Sequence, residues 1–383
     1  MPWKEFTVEY QRQQLCYRIV HQKEPVAAVC REYKVSPKTA YKWLARYRLA
    51  PDQPLVDRSR RPKSSPKRTP EVIEQKVLSI HDQHRWGGRK INRLLLNERL
   101  DDTPSIRTIT TVLKRHGRTR TKVPEPPSTP PIRFERSSPN ELWQLDHKGP
   151  CEIQRARYHP FTVVDDHSRY CFCFEPLLDK SIASYWPVLW DIFGDVGLPE
   201  AILCDNGFSA AGRGLGLSEF DMRLIRLGIR PAHGQAYHPQ TQGKVERLHL
   251  TADYELLTFK PCLDRMSDFV KGRDAWRHAY NHLRPHESLG DRPPISRWQP
   301  STRRRPRTLP EVEYDAGAVL RKVSQVGDIH YRGARIGVSR SLARQWVRIE
   351  EREHEIGIFY SWKELRTIRH ERLKTASHNE LVK

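Results

Sequence analysis

Residues 141–175 read ELWQLDHKGPCEIQRARYHPFTVVDDHSRYCFCFE, and the fold turns on this stretch. Three short runs rich in β-branched and aromatic residues, 141–147, 161–166 and 169–175, are predicted as strands, the last two joined by the tight turn Asp166-His167-Ser168. Downstream, ASYWPVLWDIFGDVG (183–197) predicts a helix that ends at glycines, with Pro187 early in it or kinking it. Ala201–Cys204 follows as a short buried strand running into Asp205-Asn206-Gly207, and SEFDMRLIRLG (218–228) predicts a second amphipathic helix.

The order βββαβα is that of an RNase H-like α/β core, expected over 140–284. Three acids take particular places in it. Asp146 ends the first strand, Asp205 ends the fourth, and Glu246 begins a helix after HPQTQGK (238–244). Two-metal phosphoryl transfer needs hard oxygen ligands holding two cations roughly 3.5–4 Å apart, and carboxylates from adjacent strands plus one from a facing helix suit it. Asp165 and Asp166 fall in a hairpin turn and read as turn chemistry.

Charge separates the regions. The 383 residues carry a formal net charge of +21, distributed as +16 over residues 1–137, −4 over 138–260 and +9 over 261–383. A mildly acidic middle between basic ends suits an enzyme that must hold cations on carboxylates and phosphates on its flanks. Mean hydropathy is −0.74 and no apolar run approaches the roughly 18 residues of a membrane span, so no membrane partner is expected. MPWKEFTVEY has no apolar signal segment, and the expectation is a cytoplasmic, nucleoid-associated, bacterial protein. The seven cysteines are scattered and odd in number, which argues against a disulfide framework, and no G-x-x-x-x-G-K-[ST] loop calls for a nucleotide cofactor.

The basic N-terminal region reads as two helical units. In the first (1–57), Ser36-Pro37 caps a helix through KTAYKWLARYR, the second element of a helix-turn-helix. Lys38, Thr39, Lys42 and Arg46 would face DNA while Tyr41, Leu44 and Ala45 pack inward. A basic linker (58–68) brings Arg58, Arg60 and Arg61 to phosphates or a minor groove. In the second unit (69–118), Thr103-Pro104-Ser105 caps a helix carrying Arg107, Thr108, Thr111 and Lys114. A proline-rich linker (119–139) precedes the core, and an Arg/Pro-rich linker (285–316) follows it. Six short alternating runs over 317–370 predict a small SH3-like β-barrel, before a frayed tail at 371–383. The fold class expected is therefore multidomain: all-α helix-turn-helix units, an α/β RNase H-like catalytic core and a C-terminal β-barrel.

WQLDHKG around Asp146, VVDDHSRY after it, CDNG around Asp205, HPQTQGKVERLH around Glu246 and YNHLRPHESLGDRPP (280–294) together resemble insertion-sequence transposases of the DDE, retroviral-integrase-like group. The acids are spaced 59 and 41 residues apart, within that group's loose range. The resemblance implies a DNA transposase that binds the ends of its element and performs metal-dependent strand cleavage and transfer. Asp146, Asp205 and Glu246 would hold two Mg²⁺ ions, for which Mn²⁺ can substitute. Its partners would be double-stranded transposon-end and target DNA and further copies of itself, as a dimer or higher oligomer. Many relatives carry Lys or Arg seven residues after the catalytic Glu, where this chain has Asp253. Phosphate contacts then fall to Lys148, Lys244 and Arg247, with His249 one turn beyond Glu246.

Overall fold

The computed structural model describes residues 7–58, 68–99, 102–119, 135–205, 208, 217–233, 243–258 and 263–375. They fall into two compact units, Met1–Arg68 and Thr69–Lys383. No helix among the described residues is long and apolar enough to cross a membrane.

The first unit is three helices: α1 (Val8–Val20), α2 (Val26–Glu32) and α3 (Pro37–Leu49). Ser36 caps α3 by accepting from the Thr39 amide at 3.2 Å, with Pro37 at the first helical position, as the sequence predicts. The phase of α3 corrects one expectation. Ala40, Trp43, Leu44 and Tyr47 form the buried stripe, an i, i+3, i+4, i+7 set, and pack on Leu15, Cys16, Val29 and Cys30. Tyr41 and Ala45, expected inward, lie off that stripe and are exposed.

The second unit begins with α4 (Glu71–His84), α5 (Gly88–Asn97) and α6 (Ile106–Arg115) around Val77, Ile91, Leu95, Ile109 and Val112. This helical module, read from the sequence as a unit followed by a proline-rich linker, is tied by ion pairs to residues of the region beyond that linker. Arg89 reaches Glu287 at 2.8 Å and Asp291 at 3.1 Å, and Lys90 reaches Glu255 at 3.1 Å, which Arg284 also holds at 2.9 Å.

The central region is a mixed sheet between two helical layers. Its strands are β1 (Trp143–His147), β2 (Cys151–Ile153), β3 (Ala156–Asp165), β4 (Cys171–Leu177), β5 (Ala201–Cys204) and β6 (Arg230–His233). β3 pairs antiparallel with β1, β2 and β4, whereas β1–β5 and β5–β6 are parallel. Of these, β2 and β6 were not anticipated, being three and four residues long. Alternation along the strands separates the layers. Leu145, Phe161 and Val163 pack under α7 (Ile182–Val196) and α8 (Glu219–Arg226); Val164, Cys171 and Phe174 pack under α9 (Gly243–Glu255) and α10 (Met266–His278).

The Arg/Pro-rich segment is not a free linker. Its only regular structure is two short 3₁₀ turns, and it straps the sheet's helical layer. Trp298 stacks on Tyr170 with centroids 4.2 Å apart, the Leu198 amide donates to Arg303 O at 2.8 Å, and Arg305 lies 4.5 Å over the Trp190 ring. The Arg303 guanidinium donates to the carbonyls of Pro199, Leu227 and Gly228. Prolines remove the strap's own ladder bonds, so chain ends of α7 and α8 become its partners.

All six C-terminal strands form: β7 (Val319–Lys322), β8 (Asp328–Tyr331), β9 (Ala334–Gly337), β10 (Trp346–Glu351), β11 (Glu355–Tyr360) and β12 (Lys363–Arg369). The expected barrel does not close. They make an open four-stranded sheet, β12-β11-β10-β7, and a separate β8–β9 hairpin, which share one core with Ile225 of α8. The tail is helical at its start, as α11 (His370–Thr375).

Gly197 is the position on which the strap depends. Its φ of 84° and ψ of −177° lie in a region that only glycine occupies readily, and an added Cβ would sit 2.8 Å from both Ser301 O and Arg303 O. Gly197→Ala is expected to lower unfolding stability by about 1–3 kcal/mol, combining backbone strain with displacement of the strap. A urea midpoint indistinguishable from wild type would show that the strap is not seated there.

Candidate active site

The parallel β1–β5 ladder pairs Trp143 with Ile202 and Gln144 with Leu203. Continuing that register by two residues sets Asp146 opposite Asp205, where both strands run out. Helix α9 packs on β1 and β3 through Val245, Leu248 and Ala252. One residue on from this seam, Glu246, His249 and Asp253 follow at helical spacing, a stripe that faces the end of β1. His249 Nδ1 is 3.7 Å from Asp146 Oδ2, and Asp253 Oδ1 is 2.8 Å from Lys148 Nζ.

Asp146 registers this convergence. Its carboxyl is pushed up to about 6, chiefly by burial and then by the Asp205 charge, with Glu246 adding to the effect and Lys180 opposing it. His249 is the reverse case: burial, helped by the charges of Lys148 and His147, pushes its imidazole down to about 3, so the ring is neutral. Its Nε2 lies 2.8 Å from Thr162 Oγ1, and that hydroxyl donates to Asp146 O at 3.0 Å. Among the described residues no three His, Cys, Asp or Glu side chains are gathered tightly enough to chelate an ion. The donors nonetheless have the chemistry a hard cation requires, carboxylate oxygens that repel one another until a positive charge lies between them.

The neighbouring acids have other duties. Asp165 is fully buried and accepts from the amides of Asn140 and Ser168 and from the Ser168 hydroxyl. Asp166 accepts from the Arg136 amide and the Gln144 side chain, each at 2.8 Å, and pairs with Lys244. The turn therefore anchors the start of α9 beside β1. Lys244 is thereby occupied within the protein, and burial lowers its pKa. Lys148 is likewise paired, with Asp253, while Arg247 is exposed.

A second constellation lies behind Asp205. Cys204 Sγ is 3.5 Å from His233 Nδ1, and His233 Nε2 is 2.8 Å from Asp221 Oδ1, the order of a thiol hydrolase triad. Chemistry of that kind is excluded by the thiol itself. Cys204 is 1% exposed, and burial pushes its pKa well above the usual thiol range, leaving no thiolate to attack. The pair His233–Asp221 instead braces the strand end that carries Asp205. Sequence reading missed it, as it missed Thr162 and Lys180, because none of these lies in a motif.

On the helical units, Lys38, Arg58, Arg107 and Lys114 are exposed. Lys42 lies 4.5 Å over Trp43 and 3.9 Å from Asp57; Arg46 also covers Trp43 and donates to Val56 O. Thr39 and Thr108 hydrogen-bond to the capping serines Ser36 and Ser105, and Thr111 donates back to Arg107 O. Arg60 and Arg61 lie outside the described residues.

Residues 39–113 match a homeodomain-like domain, while 136–239 and 227–294 each match an integrase core domain. The chain thus carries the signature of an integrase core domain behind a homeodomain-like segment. Among solved structures, the simian T-cell lymphotropic virus intasome in complex with PP2A regulatory subunit B56 gamma aligns over 77% of this chain and 96% of its own, at 16% identity and TM-score 0.39. The HTLV-2 integrase catalytic core domain in complex with magnesium, in a trimeric form, aligns over 42% and 97%, at 19% identity and TM-score 0.33. At these scores the assignment rests on the domain matches. They make this chain a DNA-processing enzyme of the RNase H-like polynucleotidyl transferase type.

The hydrogen bond to Asp221 raises the pKa of His233, with the carboxylate's charge reinforcing it. A raised folded-state value means the pair's contribution is complete below the unfolded histidine pKa, near 6.5, and is lost as pH rises through the folded value. His233→Gln in this protein should therefore cost more stability at about pH 5.5 than at about pH 9, compared by denaturant midpoints. An equal loss at both would show that the imidazole is not charged in the folded state.

Proposed function

We propose that this protein is an active DNA transposase that binds the ends of its own element, cuts there, and joins the freed 3′-hydroxyl to target DNA. The observation that carries the reading is the raised pKa of Asp146, pushed up by its burial, by the charge of Asp205 from the neighbouring strand end and by that of Glu246 from the facing helix. Such repulsion destabilises the protein unless a cation offsets it. Asp146, Asp205 and Glu246 would together hold Mg²⁺ or Mn²⁺. When bound, a pair of these ions supplies an activated oxygen nucleophile and neutralises the leaving 3′-oxygen.

The protein's own residues do the rest. Asp166 and Lys244 hold the start of α9, and with it Glu246, against the sheet. Lys148, two residues beyond Asp146, brings a positive charge to the edge of the site, where a scissile phosphate would lie, and Asp253 holds it there. Arg247 extends that charge along the exposed side of α9. Specificity belongs to the helical units: Lys38, Lys42, Arg107 and Lys114 stand on the outer faces of α3 and α6, with Arg58 and the linker arginines Arg60 and Arg61 on phosphates. Thr39, Arg46, Thr108 and Thr111 support those faces. Paired cutting at two ends calls for a dimer or higher assembly on DNA, in the cytoplasm at the nucleoid.

Asp146→Asn, Asp205→Asn and Glu246→Gln should each abolish cleavage and joining while leaving DNA affinity within a few fold, because they remove metal ligation and leave the basic surface intact. Retention of more than about a tenth of normal cleavage by any of them would sink the assignment, since losing a metal ligand costs far more transition-state stabilisation. A protein that binds end DNA equally well but never cuts it with Mg²⁺ or Mn²⁺ is instead a regulator on a transposase scaffold. Ca²⁺, larger and looser in coordination, should support binding without cleavage.

Lys42→Ala and Arg107→Ala test the readers. Each should cost roughly 1–3 kcal/mol on end-containing duplex and little on scrambled duplex in gel-shift titrations at matched salt. Equal weakening on both duplexes would assign these side chains to phosphates.

A further inference from the structure

We propose that the cleft between the second helical module and helix α9 is a binding site for a single strand of DNA, taking unpaired nucleotides beside the helix that carries Glu246. The inference rests on the DNA-processing reading above and deepens it, by naming the form of DNA that this surface takes.

The composition of the two walls carries the argument. One wall comes from the α4–α5 corner and α6, with Arg85, Gly87, Thr110 and Leu113; the other comes from α9, with Arg247, Leu250 and Tyr254. Five cations line the cleft, Lys90, Arg118 and Arg284 besides Arg85 and Arg247, against two acids, Asp253 and Glu255. Both acids are already committed. Glu255 is held by Lys90 and Arg284, and Asp253 by Lys148 from outside the cleft. The charge left over is positive and favours a polyanion. Among the cations the surface is apolar: Leu250 is 61% exposed, and Tyr254 lies one helical turn further along the same face of α9. Cations interleaved with an aromatic and an aliphatic side chain suit unpaired nucleotides, whose phosphates seek charge while their bases, no longer stacked in a duplex, seek an apolar face.

Size points the same way. The cleft's volume of about 600 Å³ lies within the roughly 300–1,000 Å³ that takes a group of nucleotide size, and a duplex whose major groove alone is about 12 Å wide cannot enter it. Its position gives a strand a path. Helix α6 carries Arg107, Thr111 and Lys114 on its exposed side and Thr110 and Leu113 on the neighbouring side, along the cleft. Across the cleft, Arg247 follows Glu246 directly in α9. A strand leaving a duplex held on α6 would therefore reach the catalytic end of α9 through this space. The start of α5 opens into it as well, since Gly87 gives that helix no side-chain cap and an added Cβ there would meet nothing within 4 Å.

Two fluorescein-labelled probes test the inference on full-length protein by anisotropy at matched salt: a single strand of about 12 nucleotides and the blunt duplex of the same sequence. Gly87→Asp places a carboxylate in the cleft while giving α5 a stronger cap, so it opposes binding without weakening the fold. Leu250→Glu does the same from the α9 wall, at an exposed position. Each should weaken single-strand binding about tenfold and duplex binding less than about twofold. An iodouracil-bearing single strand should cross-link on irradiation to Tyr254. Equal weakening on both probes would overturn the inference by assigning the cleft to duplex backbone. Unchanged single-strand affinity in both variants, or cross-links confined to residues outside the cleft, would overturn it too. None of these readouts depends on cleavage, so such a failure leaves the carboxylate site standing, whereas a wild type that binds neither probe would remove the DNA-processing reading as well.

Discussion

Like charge held together at a strand end is the constraint on which this structure turns. β1 is hydrogen-bonded on both sides, antiparallel to β3 and parallel to β5, so Asp146 has no freedom to swing away from Asp205. Isolated in water, two carboxylates would ionise independently; here burial and proximity lift Asp146 to about 6. The core beneath is apolar and closely packed, with Trp143, Leu145, Phe161 and Val163 all fully buried. That packing supplies the stability against which the repulsion is maintained. A fold selected only to be stable would have no reason to bury Asp146 where the charges of Asp205 and Glu246 reach it.

Around this point the basic residues divide into two kinds. Lys244, Lys148, Lys90 and Arg284 are paired inside the protein, with Asp166, Asp253 and Glu255. Arg303 and Arg305 are spent on carbonyls and a tryptophan ring of the core. On the C-terminal sheets, Arg332 and Arg335 are paired with Glu351 and Asp328. The formal charge of +21 therefore overstates what is free to meet phosphate. Buried pairs of this kind add little net stability over apolar packing, but they fix orientation, which is what a phosphoryl-transfer site needs.

The docking of α4–α6 on the catalytic region links the two halves of the proposed activity. Arg89 and Lys90 sit at the start of α5 and bind acids from α9 and from the segment after α10. A cleft of about 600 Å³ between them is lined by Arg85, Lys90, Arg118, Arg247 and Arg284. The exposed face of α6 and the carboxylate end of β1 are thus parts of one body, so DNA held by one is presented to the other at a set distance.

Local sequence determined the elements. Serine and proline at Ser36-Pro37 and Ser105, strand alternation in FTVVDD, and the capping box at Ser218 and Asp221 each settle a helix end or a strand face through contacts within four residues. The placement of Asp146, Asp205 and Glu246 near element ends was legible for the same reason, since short-range patterns mark those ends. What only the tertiary structure decided involves partners far apart in the chain. Thr162 and His249 are 87 residues apart, and Lys148 finds Asp253 across 105. The Arg-rich segment reads as a linker because its partners, the ends of α7 and α8, lie about 75–105 residues away, and no local pattern encodes a carbonyl waiting there. Likewise six strands were evident, but whether they closed into a barrel depended on pairing between β8–β9 and the other sheet, and strand propensity carries no information about which edges meet.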